Sequence, residues 1–181
     1  MNAPVTYVKS FSTVALEPLC DSIDWEQRDA PRREAFFSEL GLDYTYGRGV
    51  GERTYSPKPW PSLVELVKKE VEAHCGNRFE ACFANYYESP LHHLGWHADD
   101  SPFIDHANPI VVVSFGSARE IWFRANGVGA SVEKLTLESG SLAVMAAGMQ
   151  QTHQHRIPKH SGLCGPRLSL TFRSLIKTSP I

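Results

Sequence analysis

A histidine and an aspartate in one short stretch have the types and spacing of metal ligands. The stretch is GWHADD at residues 95–100, in which His97 and Asp99 are two residues apart. In a β-strand such residues point to the same face, so an imidazole and a carboxylate would aim at one point. This geometry requires a third ligand from another part of the chain.

Histidines suited to be that third ligand lie in the stretch QQTHQHRIPKH, residues 150–160. His153 and His155 are two apart and could both point inward on a strand, whereas His160 follows in a predicted loop. Spacing alone favours neither of the first two. Two histidines and one carboxylate leave coordination positions open, which is typical of non-haem iron(II) oxygenases. An HxD pair also arises by chance in a chain with 8 histidines, and the pair alone favours that interpretation.

The segment RLSLTFR, residues 167–173, has the alternating pattern of a strand with two chemically different faces. One face would carry the apolar residues Leu168, Leu170 and Phe172, and the other would carry Arg167, Ser169, Thr171 and Arg173. Guanidinium groups in a cleft are suited to bidentate binding of carboxylates. The alternative is a solvated outer face with ordinary surface arginines.

Short segments rich in β-branched or aromatic residues follow Gly76, separated by Gly, Ser, Asn and Pro, and we predict them to be strands. They are FEACFANYY, PIVVVSF, EIWFR, VEKLTL, SLAVMAA and RLSLTFR. Several short strands separated by regular turns indicate a sandwich or barrel such as a jelly roll.

The segment SLVELVKKEVEAHCG, residues 62–76, is the clearest predicted helix. Its apolar residues Leu63, Leu66, Val67 and Val71 recur at helical spacing. Ser62 and Glu65 have the spacing of a capping box, and Gly76 suits the helix end.

The stretch upstream of this helix is less certain in type. PRREAFFSEL, residues 31–40, permits either a helix or a strand. Residues 41–61 are rich in Gly, Pro and Tyr, which predicts a long surface loop or a hairpin.

Composition limits the class of protein. The chain of 181 residues, 42% of them hydrophobic, fits one globular domain with a net charge of −2. Any polyanionic partner must therefore be held by a local patch.

The four cysteines form no CxxC pair and no secretory prefix precedes them, so we expect an intracellular protein with reduced thiols. No apolar run reaches the ~20 residues that span a membrane, and no oligomerisation signal is present, so we expect a monomer.

The order of these motifs resembles the AlkB family of iron(II)- and 2-oxoglutarate-dependent dioxygenases. The resemblance runs through most of the chain, and its motifs are DAPR, YTYG, PWP, NYY, WHADD, PIVVVSFG, QHRIPK and PRLSLTFR. It implies a mainly β fold with flanking helices and a double-stranded β-helix core of the jelly-roll, cupin-like type. It also implies one dioxygenase domain over residues 1–181, with a nucleotide-recognition lid at roughly 25–61 and a catalytic core at roughly 79–176.

The resemblance also assigns roles to particular residues. His97, Asp99 and His155 would bind Fe(II), and His155 is preferred to His153 because family members have His-Arg-Ile/Val-Pro here. The residues that would hold the cosubstrate 2-oxoglutarate are Asn85, Tyr87, Arg167 and Arg173. Arg167 would pair with the distal carboxylate, and Asp100 would orient Arg173.

The activity implied by the resemblance is oxidative demethylation of bases such as 1-methyladenine and 3-methylcytosine in DNA or RNA. Dioxygen would be consumed, 2-oxoglutarate would become succinate, and formaldehyde would be released. A base inside a duplex does not reach such a centre, so the substrate would be single-stranded or flipped. Tyr44 is the proposed base-stacking residue, with Tyr46, Phe37 and Trp60 nearby, and the basic residues Arg48, Arg53 and Lys58 could contact phosphates. The protein would be cytoplasmic, or nuclear in a eukaryote.

Two positions depart from the family pattern. Ser101 stands where many members have an acidic residue that helps recognise the damaged base, and Ser169 stands where several have Asn. Trp96 would point away from the iron, into the core. Three other functions are compatible with parts of the sequence: the same cofactors acting on a protein or small molecule, a nucleic-acid-binding module with a vestigial metal site, and a cupin-like zinc hydrolase.

Overall fold

The computed structural model describes residues 2–28, 31–46 and 52–176. Its strands are β1 Val5–Val8, β2 Glu26–Gln27, β3 Arg33–Ser38, β4 Tyr44–Tyr46, β5 Arg53–Tyr55, β6 Ala81–Tyr87, β7 Leu94–His97, β8 Ile110–Gly116, β9 Arg119–Ala125, β10 Glu133–Leu137, β11 Ser141–Met145, β12 His153–Ile157 and β13 Arg167–Arg173. Its helices are α1 Leu16–Asp21, α2 Ser62–Cys75 and α3 Met149–Thr152. Each of the six predicted strand segments after Gly76 is a strand.

Two antiparallel sheets form the body of the molecule. The larger sheet has 7 strands in the order β1-β11-β8-β13-β6-β3-β2, and the smaller has 4 strands in the order β10-β9-β12-β7. Two facing sheets with few helices confirm the mainly β, jelly-roll prediction. A separate hairpin, β4-β5, lies in the stretch expected to be a loop or hairpin.

Apolar side chains pack on both faces of the larger sheet. On the outer face, α1 and α2 contribute Leu19, Val64, Val67 and Val71 to a cluster with Leu168, Leu170 and Phe172 of β13. A second cluster fills the space between the sheets and includes Phe36, Phe83, Tyr87, Ile121 and Phe123. Because β13 alternates, its four polar side chains point into the space between the sheets.

Helix α2 begins and packs differently from the prediction. Pro61 occupies the N-cap position in an extended conformation with no side-chain hydrogen bond, so the Ser62–Glu65 capping box is wrong. Its buried residues are Val64, Val67, Lys68 and Val71, whereas Leu66 is 46% exposed. The buried face is therefore rotated from the predicted one. The predicted helix end is confirmed, since Gly76 adopts a left-handed φ of 69°.

Segment 31–40, which permitted either structure, contains β3 at its centre. Phe36 joins the cluster between the sheets and Phe37 joins the outer cluster, so the two aromatic residues face opposite sides. This alternation suits a strand covered on both faces. None of the described helices has the length and apolar character needed to cross a bilayer.

Candidate metal and anion site

Strand pairing brings the three candidate metal ligands together. His97 ends β7, Asp99 follows it, and His155 lies on the neighbouring strand β12 directly opposite His97. The two imidazole rings are 4.2 Å apart at their centroids. One ligand atom from each of the three residues lies within 4.8 Å of the others. Among the described residues, this is the group of His, Cys, Asp and Glu side chains that could hold a metal ion.

The register of β12 distinguishes the three histidines that spacing left open. His155 pairs with His97, whereas His153 pairs with Ala125 at the far end of β9. The His153 ring instead contacts the Thr152 hydroxyl at 2.8 Å. His160 lies in the loop after β12, where its Nδ1 is 3.1 Å from the Gly162 carbonyl oxygen.

Hydrogen bonds orient the ligand atoms of the site. His97 Nδ1 donates to the Gly95 carbonyl at 2.8 Å, which turns Nε2 toward Asp99 Oδ1 at 3.8 Å. Arg173 Nη2 donates to Asp99 Oδ2 at 2.7 Å. Asp99 Oδ1 is buried and has no hydrogen-bond partner among the described residues. A buried carboxylate oxygen without a donor is destabilised, so a cation bound at Oδ1 would satisfy it.

Burial and neighbouring charges set the protonation states of these ligands. Burial, and then the nearby His97, lower the pKa of His155 to about 3. Burial also lowers the pKa of His97, against the opposing effect of Asp99. Burial would raise the pKa of Asp99, but Arg173 and the two histidines outweigh it and hold this pKa at about 2. At neutral pH the site therefore offers two neutral imidazoles and a carboxylate, the forms that bind divalent metals.

We predict that the metal-free protein loses stability as the pH falls below about 6.5, the ordinary histidine pKa. Because the pKa of His155 is depressed in the folded protein, this histidine is protonated in the unfolded chain at a higher pH than in the folded protein. Protonation therefore favours the unfolded chain, and the free energy of unfolding decreases as the pH falls. For His155 alone, the decrease in the free energy of unfolding is about 2 kcal/mol at pH 5, because pH 5 lies about 1.5 units below the pKa of about 6.5 in the unfolded chain. Urea unfolding of the metal-free protein at pH 7 and pH 5 would measure it.

The matched variant for this prediction is His155→Asn, which keeps a polar side chain that does not titrate. The variant should lose a smaller part of its stability between pH 7 and pH 5 than the parent protein loses. An equal pH dependence in both proteins would show that His155 is not held neutral in the fold.

Four further predicted residues line the space beside the triad on two paired strands. Asn85 and Tyr87 lie on β6, and Arg167 and Arg173 lie on β13, with Arg167 opposite Tyr87. The Arg167 guanidinium is 5.2 Å from the centre of the Tyr87 ring. The four residues thus form a surface that runs from the triad to Arg167.

Arg167 is a buried cation without a carboxylate partner among the described residues. Its side chain is 0% exposed, and Nη2 donates to the Ser114 hydroxyl at 2.8 Å. Its Nε and Nη1 atoms have no hydrogen-bond partner among the described residues. Burial lowers the pKa of Arg167 to about 10, so it remains charged at neutral pH. A buried charge with free donors is costly unless an anion binds it, and a carboxylate fits both donors.

The orientation of Asn85 is fixed by a residue that the sequence analysis missed. Arg32 Nε donates to Asn85 Oδ1 at 2.6 Å. Because arginine only donates, this atom must be the amide oxygen, which leaves the Nδ2 amino group to donate to a ligand. Arg32 itself forms a buried ion pair with Glu34, which also accepts a 2.7 Å hydrogen bond from the Tyr55 hydroxyl.

Arg119 is a second missed cation. It is 1% exposed and donates through Nη2 to the carbonyls of His92 and Pro158, at 3.0 Å and 2.6 Å. Its guanidinium lies 5.8 Å from the centre of the Tyr87 ring, so it adds positive potential on the side of Arg167. The available signal was its inward-facing position in the alternating segment REIWFRA.

A cleft adjoins the triad. Its lining residues are Arg32, Tyr44, Phe83, Asn85, Leu94, His97, Asp99 and Arg173. Tyr44 is buried and stacks on Phe36 at 5.1 Å, so it packs the β4-β5 hairpin onto the core and lines the cleft as well. Its hydroxyl has no hydrogen-bond partner among the described residues.

Other predicted site residues lie elsewhere. The carboxylate that holds Arg173 is Asp99, where the sequence analysis expected Asp100, whose side chain is exposed. Asp99 reaches inward because its backbone N–H donates to the buried side chain of Gln150 at 3.0 Å. Phe37 and Trp60 pack together in the outer cluster, away from the cleft.

The basic residues predicted to contact phosphates differ in their surroundings. Lys58 donates to Asp24 at 2.7 Å, and Arg53 lies 3.7 Å from the Glu34 carboxylate. Arg48 and the Tyr46 side chain lie outside the described residues.

Trp96 does point away from the triad, but the prediction that it packs in the core is wrong. It lies partly exposed on the outer face of the smaller sheet, with the Arg124 guanidinium 4.3 Å from its ring.

Comparison with known proteins agrees with this geometry. The profile of the 2OG-Fe(II) oxygenase superfamily matches residues 8–173. The chain is 33% identical over 178 residues to human alpha-ketoglutarate-dependent dioxygenase alkB homolog 3, covering 88% of this chain and 60% of that protein. It is 34% identical over 155 residues to human DNA oxidative demethylase ALKBH2, covering 82% of this chain and 58% of that protein. The chain thus spans about 60% of the length of these relatives.

A solved structure shows the same fold. The structure of OsALKBH1 superimposes with a TM-score of 0.64 at 18% identity, covering 96% of this chain and 99% of that one. At this level of identity the likeness concerns the fold alone.

Proposed function

Because the chain belongs to the 2OG-Fe(II) oxygenase superfamily and, within it, to the AlkB family, we propose that it demethylates N-alkylated nucleobases in DNA or RNA. Substrates of this kind include 1-methyladenine and 3-methylcytosine. The observation that carries the proposal is the pairing of a three-ligand metal site with a buried cation, Arg167, that has no carboxylate partner among the described residues. A site of that composition suits a metal together with a dianionic cosubstrate.

The cofactors are Fe(II) and 2-oxoglutarate, and the described side chains fit both. His97, Asp99 and His155 would hold the metal, and the unpartnered Asp99 Oδ1 is a suitable ligand atom. Arg167 would hold the distal carboxylate of 2-oxoglutarate through Nε and Nη1. When bound, these cofactors would supply a dioxygen-dependent hydroxylation of an N-methyl group, in which 2-oxoglutarate is converted to succinate and carbon dioxide.

The protein side chains would orient the reacting groups and exclude water. Arg32 presents the Asn85 amino group to the cosubstrate, and Arg173 fixes the Asp99 carboxylate. Because the Arg167 guanidinium is fully buried, an ion pair formed there would be stronger than the same pair in water. An N-hydroxymethyl product would then lose formaldehyde and restore the base.

The target base would enter the cleft from a single strand or after flipping. Tyr44, Phe83 and Leu94 supply apolar walls, and burial raises the pKa of Tyr44, so its hydroxyl stays protonated and able to donate. We propose that residues around 25–61, which contain β4 and β5, act as the nucleotide-recognition lid. Ser101 is buried and its hydroxyl has no hydrogen-bond partner in the described part of the chain, so this position offers a neutral polar group in place of an acidic one.

The test is the mass of oligonucleotides incubated with the iron-loaded protein, 2-oxoglutarate and air. Single-stranded oligonucleotides with 1-methyladenine or 3-methylcytosine should each lose one methylene mass, and duplexes should react more slowly because unpairing costs a few kcal/mol. Unmodified oligonucleotides and the same mixture without 2-oxoglutarate serve as controls. Unchanged methylated oligonucleotides, alongside steady succinate formation, would reject the nucleobase substrate and favour a protein or small-molecule substrate.

A further inference from the structure

The outer face of the smaller sheet carries cationic side chains that pack against two tryptophan rings. Its members, which we call the outer-face row, are Lys134 of β10, Trp122 and Arg124 of β9, Arg156 of β12 and Trp96 of β7. The Trp122 ring lies 4.4 Å from Lys134 Nζ and 4.2 Å from the Arg156 guanidinium. The Trp96 ring lies 4.3 Å from the Arg124 guanidinium and 5.0 Å from that of Arg156.

The register of the sheet explains why these side chains are in contact. Trp122 pairs with Lys134 on one side and with Arg156 on the other, so the three side chains stand side by side on neighbouring strands. A cation over the face of a tryptophan ring is attracted by the ring's quadrupole. The contacts therefore restrain long side chains that would otherwise be mobile, and they present three positive charges at fixed positions.

Described carboxylates on the same face of the row's own strands offset only part of the charge of the row. Glu120 is one such group, and it accepts a 2.7 Å hydrogen bond from the Trp122 indole. Arg124 donates to the neutral Gln154 amide at 2.6 Å, and Arg156 Nε has no hydrogen-bond partner among the described residues. A positive patch of this kind contrasts with the net charge of −2 of the whole chain.

A groove of about 570 Å³ runs beside the row. Trp122 and Lys134 of the row form one part of its lining, and Lys159 and His160 of the loop after β12 form another. A second depression next to it is lined by Trp122, Arg156 and Lys159. The cations therefore border a concave surface that is open to solvent.

We propose that the outer-face row and this groove bind the phosphodiester backbone of single-stranded nucleic acid that flanks the target base. The proposal rests on the proposed function. Phosphate contacts of this type position a strand without reading its sequence. β7 is the edge strand of the sheet, and its adjacent residues His97 and Trp96 face the cleft and the row respectively. A strand with one base in the cleft can thus continue over this edge onto the row.

The test is the salt dependence of binding to a fluorescently labelled, unmodified single-stranded oligonucleotide, measured by anisotropy. Because each phosphate contact contributes ~0.7 to the slope of log K against log salt for single strands, Arg124→Gln/Arg156→Gln should lower the slope by ~1.4. The affinity at low salt should fall at least about tenfold. The single variant Lys134→Gln should lower the slope by about half as much while leaving both tryptophans and both arginines in place.

The matched control is Lys69→Gln, which removes an exposed cation from α2 on the far side of the larger sheet. It should change neither slope nor affinity. Thermal denaturation of each variant checks the fold. If Arg124→Gln/Arg156→Gln and Lys134→Gln bind as the parent protein does, the row only braces the sheet and the proposal is overturned. Loss of affinity for polyglutamate with unchanged oligonucleotide binding would overturn it in favour of an acidic protein partner.

A second measurement separates this proposal from the proposed function. A methylated nucleoside carries no phosphodiester backbone for the row to bind, so Arg124→Gln/Arg156→Gln should demethylate it at the parent rate. The same variant should show a raised KM for a long methylated strand. If no substrate is demethylated by the parent protein, the proposed function fails, and the anisotropy result alone still decides whether the row binds nucleic acid.

Discussion

Replacing His155 by alanine is expected to abolish metal-dependent turnover, while the equivalent change at His153, two residues earlier on the same strand, is expected to have little effect. Only His155 lies opposite His97 with its ring 4.2 Å away. Removal of a residue that only hydrogen-bonds to a metal ligand typically costs ~10–100-fold in metal affinity or activity. Loss of one of three ligands should therefore cost more. Metal content after gel filtration and succinate formation would both report it.

The two histidines make a stringent pair because they share a strand, a residue type and a local sequence. Thermal denaturation would show whether the alanine at the buried His155 position weakens the fold. Retention of metal by His155→Ala, together with its loss from His153→Ala, would contradict the site. Asp99→Ala is a poorer test, since it also leaves the buried Arg173 without its Asp99 partner, which typically costs ~3–5 kcal/mol.

Replacing Arg167 by methionine is expected to weaken 2-oxoglutarate binding without loss of the metal. Methionine fills much of the same space but removes the buried charge and the Nε and Nη1 donors, which have no partner among the residues that the structure describes. Truncating one partner of a buried charge pair costs ~2–5 kcal/mol, or roughly 30- to 4,000-fold in affinity. Calorimetric titration of 2-oxoglutarate into the manganese-loaded protein, without dioxygen, would measure the loss directly.

The control for this prediction is Ser114→Ala, which removes the hydroxyl that accepts from Arg167 Nη2 but keeps the guanidinium. It should weaken binding far less than Arg167→Met does, because a neutral hydrogen bond contributes only ~0.5–1.5 kcal/mol. Equal affinities in the parent protein and Arg167→Met would mean that the cosubstrate binds elsewhere.

Patterns that depend on local periodicity were predictable from the sequence. The alternation in RLSLTFR correctly separated the polar face of β13 from its apolar face, because a strand has only two faces, but it left open whether the polar face meets a cavity or solvent. The two-residue spacing of His97 and Asp99 likewise anticipated a shared site. The ambiguity of segment 31–40 had a physical cause, since a strand covered on both faces has no polar alternation to identify it.

Features that depend on contacts between distant segments were not predictable from spacing. The choice between His153 and His155 needed the register of β12 against β7, and only the family resemblance supplied it in advance. The contact between Arg32 and Asn85 joins two residues that are 53 positions apart in the sequence. Trp96 was expected in the core, but cations from two neighbouring strands cover its ring instead. A large aromatic side chain alone did not reveal that environment.

The most direct test of the account is the simultaneous measurement of succinate and formaldehyde from the iron-loaded protein supplied with 2-oxoglutarate. Single strands that contain 1-methyladenine or 3-methylcytosine would be compared with the same strands unmodified. We predict equal amounts of both products with the methylated strands and little of either with the unmodified ones. Succinate released at the same rate from every strand, without formaldehyde, would contradict the assignment of nucleobases as the substrate.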